Sequence, residues 1–157
     1  LTDWTVIGIG NYRNQAIKKS TGGLFSKSVT SGYKYLMSLH MGLCRGIDDL
    51  VEIKISDKTA WTGNISSDNK TTFKINQPSL FGGDDSEGGI VGNLTILRGA
   101  QDQATLNELE NMYGTVVQEG YYTEGSYYEP RVWVPPVIEP ATVPAYRGVV
   151  TFFYDGL

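Results

Sequence analysis

"GYKYLMSLHMGLCRG", residues 32–46, decides the fold class, and it holds the only histidine, His40, and the only cysteine, Cys44. Tyr33, Tyr35, Met37, Leu39, Met41 and Leu43 alternate with Lys34, Leu36, Ser38, His40, Gly42 and Cys44. An apolar set alternating with a mixed set has the period of a strand, so a long half-buried strand is predicted from Tyr33 to Cys44. The chemistry follows from that geometry. Four residues of helix would bring His40 and Cys44 onto one face, whereas four residues of strand hold them about 13 Å apart. A zinc site needs three or four ligands, and no further His or Cys exists to complete one. A Cys–His nucleophile pair needs hydrogen-bond reach, which an extended backbone denies it. Both residues are therefore read as strand side chains, with no catalytic residue, metal or cofactor expected.

Outward from this strand, 157 residues make one domain, or one domain with an appendage, long enough to bury a core. Hydrophobic residues at 40% and charged residues at 19% describe a folded chain rather than a disordered one. Nineteen glycines between short apolar stretches point to many turns and strands. A net charge of −4 gives no reason to expect nucleic acid as a partner, because phosphate binding needs clustered Lys and Arg. A single cysteine excludes an internal disulfide. No run of about 18 apolar residues exists, so stable membrane insertion is not expected. The opening "LTDWTVIGIGNYRNQ" lacks the basic-then-apolar pattern of a signal peptide. Without an initial Met, and ending just after an apolar stretch, the sequence is expected to be an excerpt of a longer polypeptide.

Residues 1–31 show little periodicity and read as an N-terminal arm or lead-in, followed by one β domain over 32–157. In "VEIKISDKTAW", Val51, Ile53 and Ile55 alternate with Glu52, Lys54 and Ser56 before a turn, predicting a β-hairpin. "NKTTFKINQP", with Phe73 and Ile75, and "GGIVGNLTILRG", from Ile90 to Arg98, predict two more strands, and "YRGVVTFFY" a last one. One helix is predicted in "DQATLNELENMYG", with Leu106, Leu109 and Met112 or Tyr113 on a stripe. Asp102 or a Thr105–Glu108 box would cap it, and Gly114 would stop it in a left-handed turn. Residues 115–143 are rich in Tyr and Pro and read as an extended excursion with a small Tyr-rich hairpin. The fold class is thus mainly β with one helix.

Candidate sites are few. "GIGNYR", residues 8–13, has two glycines of a dinucleotide loop but Arg13 where the third belongs, and no helical pattern follows. Asp84, Asp85 and Glu87 lie between glycine pairs without the spacing of a calcium loop, and read more readily as a solvated turn. Gly82, Gly83, Gly88 and Gly89 would let that loop close compactly with positive φ. Tyr121, Tyr122, Tyr127, Tyr128 and Trp133 form either an aromatic contact surface for a partner or a hairpin that packs only on itself. Asn64, Asn69 and Asn93 match the glycosylation triplet, which carries meaning only on a secretory route.

Several of these stretches form an ordered series: Gly-Leu-Cys-Arg-Gly at 42–46, Lys-Thr-Ala-Trp at 58–61, Leu-Phe-Gly-Gly at 80–83, Glu-Gly-Gly at 87–89 and Pro-Ala-Tyr-Arg-Gly at 144–148. The series resembles the tail tip, or host-specificity, proteins of long-tailed bacteriophages, which in turn resemble the trimeric baseplate hubs of contractile tails. It spans residues 33–154, with 115–143 as a variable insertion. Two departures stand out: Ser56-Asp57 replaces the family's frequent Asp-Gly turn, and Asp84-Asp85-Ser86 replaces a Glu-Lys-Arg between the glycine pairs, removing positive charge.

The resemblance implies a hub-type β-barrel or sandwich, three copies ringing the tail lumen, other tail proteins as partners, assembly in the host cytoplasm and no enzymatic role. The virion would use the ring to close the tail tube and to link it to receptor-binding parts. An alternative is a host glycan-binding module using the Tyr-rich excursion. A third reading, a cell-wall hydrolase, would need a carboxylate such as Glu87 to act on its substrate.

Overall fold

The structure, a computed structural model, describes residues 4–21, 27–66, 70–83, 88–126 and 129–156, leaving aside the side chains of residues 11, 12 and 21. In chain order its elements are β1 (Thr5–Thr21), β2 (Lys27–Cys44), β3 (Leu50–Ile55), β4 (Lys58–Ile65), β5 (Lys70–Gln77), β6 (Ile90–Leu97), α1 (Asn107–Met112), β7 (Thr115–Gln118), β8 (Tyr121–Tyr122), β9 (Trp133–Val134), β10 (Val137–Glu139) and β11 (Val150–Asp155). The chain is mainly β with one short helix, and its sheets are open, with no closed barrel among the described residues. It forms two compact units: Leu1–Gln103 with Tyr146–Leu157, and Ala104–Ala145.

In the first unit five antiparallel strands run in the order β1-β2-β11-β6-β5. The alternation in β2 places Leu39, Met41 and Leu43 on the face that carries Phe152 of β11, Leu94 and Ile96 of β6, and Ile75 of β5. Against this face packs the β3–β4 hairpin, contributing Leu50, Ile53 and Ala60 to a single buried cluster. Removing such apolar surface from water, at about 25 cal/mol per Å², is what holds the two layers together. The opposite face of the sheet is also buried at its centre, where Ser38, His40, Thr95, Thr151 and Phe153 lie.

The β3–β4 turn consists of Ser56 and Asp57, with φ of 48° and 63°. Two left-handed residues in a two-residue loop match the right-handed twist of the flanking strands. The alternation expected through Val51 fails at a register shift between Leu50 and Glu52, so Val51 is exposed while Leu50 and Ile53 are buried.

Within the lead-in expected over residues 1–31, Thr5–Thr21 instead form a strand: β1 pairs with β2 from Thr5↔Gly42 to Thr21↔Lys27. Register shifts at Val6/Gly8, Ile9/Tyr12 and Ile17/Lys18 break the period of two, which is why the sequence shows no strand there. "GIGNYR" lies in this strand and forms no phosphate loop.

In the second unit α1 is shorter than expected. Leu106 stands at its N-cap with no side-chain hydrogen bond, so neither Asp102 nor Thr105 caps it. Glu108 and Glu110 in the first turn offset the exposed amides electrostatically. Gly114 is not left-handed; a side chain there would crowd the Glu139 carbonyl and the Ile138 side chain, 2.5 and 2.7 Å from its Cβ position. The excursion is a nested pair of ribbons, β7 with β10 and β8 with β9.

Candidate interaction surface

The quoted motifs prove to be joints of the scaffold. Lys58 donates from Nζ to the Leu80 carbonyl at 3.0 Å and lies 5.3 Å from the Phe81 ring centre, tying one motif to the next. Trp61 packs on Phe73 with ring centres 4.5 Å apart. Gly82, Gly83 and Gly88 have φ of 98°, 70° and 81°, and Gly83 and Gly88 exchange backbone hydrogen bonds of 3.0 and 2.9 Å. A side chain at any of the three would be strained. Gly89 is glycine for a different reason: a Cβ would collide with the Gln77 and Pro78 backbone. Asp84, Asp85 and Glu87 of this loop, with Tyr127, Tyr128 and Asn69, lie outside the described residues. Tyr146, itself at φ 52°, sets its ring edge-on to His40 at 4.7 Å, while the Gly148 amide donates to the Gly99 carbonyl and Arg147 Nε to that of Gln103.

His40 is fully buried, and burial holds its imidazole below the usual histidine range. The strand separates it from Cys44 as the alternation requires; Cys44 donates from Sγ to the Gly46 carbonyl at 3.3 Å. Among the described residues no group of three His, Cys, Asp or Glu converges as a metal site would require.

Among the described residues, two exposed surfaces stand out. At the tip of the excursion Tyr121 pairs with Val134 and Tyr122 with Trp133, and the last two rings meet at 5.0 Å. The Thr123 amide donates to the Val132 carbonyl at 2.8 Å, and the Val132 amide to Thr123 Oγ1 at 2.9 Å, fixing the ribbon beyond them. Despite that mutual contact, Tyr122 stays 63% and Trp133 49% exposed. Self-packing therefore leaves aromatic area open, the kind of amphipathic area that interfaces use.

The larger surface was missed by the sequence reading. β11 accompanies β2 only over Ser38–Cys44, so from Tyr12 and Met37 outward β1 and β2 continue as a two-stranded ribbon for about 30 Å. Val6, Ile7 and Ile9 on the edge strand, and Val29, Tyr33 and Tyr35 on the ribbon, are all exposed. A signal for it does exist in the sequence: between residues 4 and 46 stand Arg13, Lys18, Lys19, Lys27, Lys34 and Arg45, and no Asp or Glu.

Compared with known proteins, the chain matches no family model and no curated sequence.

Proposed function

We propose that this chain is a structural component of a virion: the hub domain of a bacteriophage tail tip protein, three copies of which close a ring around the tail lumen. The observation that carries this reading is the β1 edge and its ribbon. A sheet with a long exposed edge strand, apolar at Val6, Ile7 and Ile9, invites pairing with another chain, and proteins that keep such an edge generally cover it in an assembly. The joints described above support the same reading, because residues of the motif series act in turns and ring contacts of the scaffold. In this role the ring continues the tail tube, holds other tail proteins and rearranges on host contact, and no reaction is assigned to it. Sedimentation equilibrium of the chain tests the ring. A species of three times 17.3 kDa, populated at high concentration, is the expected result, and a two-fold dimer is the contrary one.

A second reading rests on the exposed Tyr122–Trp133 pair: the excursion as a host glycan reader, with sugar faces packing on the rings. A glycan array with the whole chain separates the two. Sugar-specific signal lost on changing Tyr121, Tyr122 and Trp133 to Ser would favour the reader, and an array without preference the hub.

A further inference from the structure

The net charge of −4 conceals a separation of sign. The β1–β2 ribbon carries Arg13, Lys18, Lys19, Lys27 and Lys34, all exposed, and no carboxylate. Its register sets Arg13 opposite Leu36, Gln15 opposite Lys34, Lys19 opposite Val29 and Thr21 opposite Lys27. Directly opposed residues share a face and alternate residues return to it, so Arg13, Lys19, Lys27 and Lys34 all fall on one face of the ribbon. The other face carries Tyr33 and Tyr35. The opposite sign is concentrated in residues 104–145, where Glu108, Glu110, Glu119, Glu124, Glu129 and Glu139 stand against Arg131 alone. All six are at the surface, Glu110 partly so.

We infer that the basic face of the ribbon docks on the acidic surface of residues 104–145 in a second copy of this chain. Three arguments converge. An isolated two-stranded ribbon is marginally stable in water, so one that extends about 30 Å beyond its sheet needs a covering surface. A cationic face and an anionic surface on the same polypeptide attract between copies and repel when like meets like, which fixes the orientation of approach. A contact between two different surfaces can repeat head to tail, and such contacts close into rings where the rotation permits and run into open filaments where it does not. A nucleic acid is the less favoured occupant, because a polyanion drawn to the ribbon would be repelled by the acidic excess everywhere else.

The inference rests on the proposed ring in so far as copies must meet. Its test uses the whole chain and two charge-reversed variants, Lys19→Glu/Lys27→Glu/Lys34→Glu and Glu119→Lys/Glu124→Lys/Glu129→Lys, each checked by circular dichroism for native strand content. Sedimentation equilibrium is run at low and high salt. The native chain is expected to associate about tenfold or more weakly at about 1 M than at about 0.1 M salt, as screening shortens from about 10 to about 3 Å. Each variant alone should stay monomeric, and an equimolar mixture should regain pairing between unlike copies, because its two partners restore the opposed signs, but not a closed threefold ring, whose odd number of contacts forces one between like copies. Association that survives the ribbon reversal overturns the inference and leaves the ring standing. Salt-sensitive, ribbon-dependent association that is not threefold does the reverse. A native chain that stays monomeric at low salt overturns both. Ribbon-dependent binding of a single-stranded DNA oligonucleotide at about 0.15 M salt, without self-association, assigns the face to nucleic acid instead.

Discussion

His40 shows how one buried side chain sets a pH limit on the fold. Burial lowers its pKa below 6.5, so protonation is easier in the unfolded chain than in the native one. The contribution of the neutral imidazole is fully present above the unfolded value and is lost as pH falls through it toward the folded value. Stability is therefore expected to fall as pH drops through about 6.5, by at most about 1.4 kcal/mol per pH unit. Because this is the only histidine, His40→Gln should flatten that slope in urea titrations while lowering stability at pH 7.5. An unchanged slope would show that the imidazole does not govern it. At the β3–β4 turn, Asp57 holds φ of 63° against the preference of an L-residue, at a cost of roughly 1–2 kcal/mol. Asp57→Gly relieves it, and a melting temperature higher by about 2–4 °C is the expected reading in calorimetry.

At the scale of elements, the sheet holds its hairpin through one cation. Arg98, at the end of β6, donates to the carbonyls of Ile47 and Asp48 ahead of β3 and to that of Ile65 at the end of β4, the last at 3.1 Å. Removing the guanidinium leaves two partly buried carbonyls and one exposed carbonyl to find other donors. Arg98→Ala should cost about 2–4 kcal/mol in urea unfolding, and Arg98→Lys should recover only part of it, since an ammonium does not span the same fork. A loss below about 0.5 kcal/mol would mean that the apolar layer alone holds the hairpin. The same elements show what the sequence made legible. β2 was legible because its alternation runs unbroken from Tyr33 to Leu43, and the β3–β4 hairpin because Ser56-Asp57 interrupts two apolar stretches. β1 was not, because three register shifts within 17 residues destroy its periodicity and its pairing is made entirely with a partner strand. The helix was legible in place but not in its caps: Leu106 occupies the N-cap because burying that side chain outweighs the hydrogen bond an Asp or Thr would make there. The glycine loop was legible at Gly82, Gly83 and Gly88, whereas Gly89 answers to a backbone collision that only the folded chain reveals.

For the whole molecule, the features that single it out are an incomplete sheet and a divided charge, not a reactive cluster. No helix among the described residues is long and apolar enough to cross a membrane. The exposed β1 edge, the basic ribbon and the aromatic tip each present area suited to contact with a neighbouring chain. A hub at the end of a tail is the proposal that uses all three surfaces, with the ribbon of one copy against the acidic residues of the next and other tail proteins against the Tyr122 and Trp133 rings. The most direct measurement is immunoelectron microscopy of virions that carry the encoding gene, using antibodies raised against the purified chain. Gold confined to the distal end of the tail is the result this account predicts; gold on the head or along the tail shaft, or virions that do not bind the antibody even after the tail is dissociated, would contradict it.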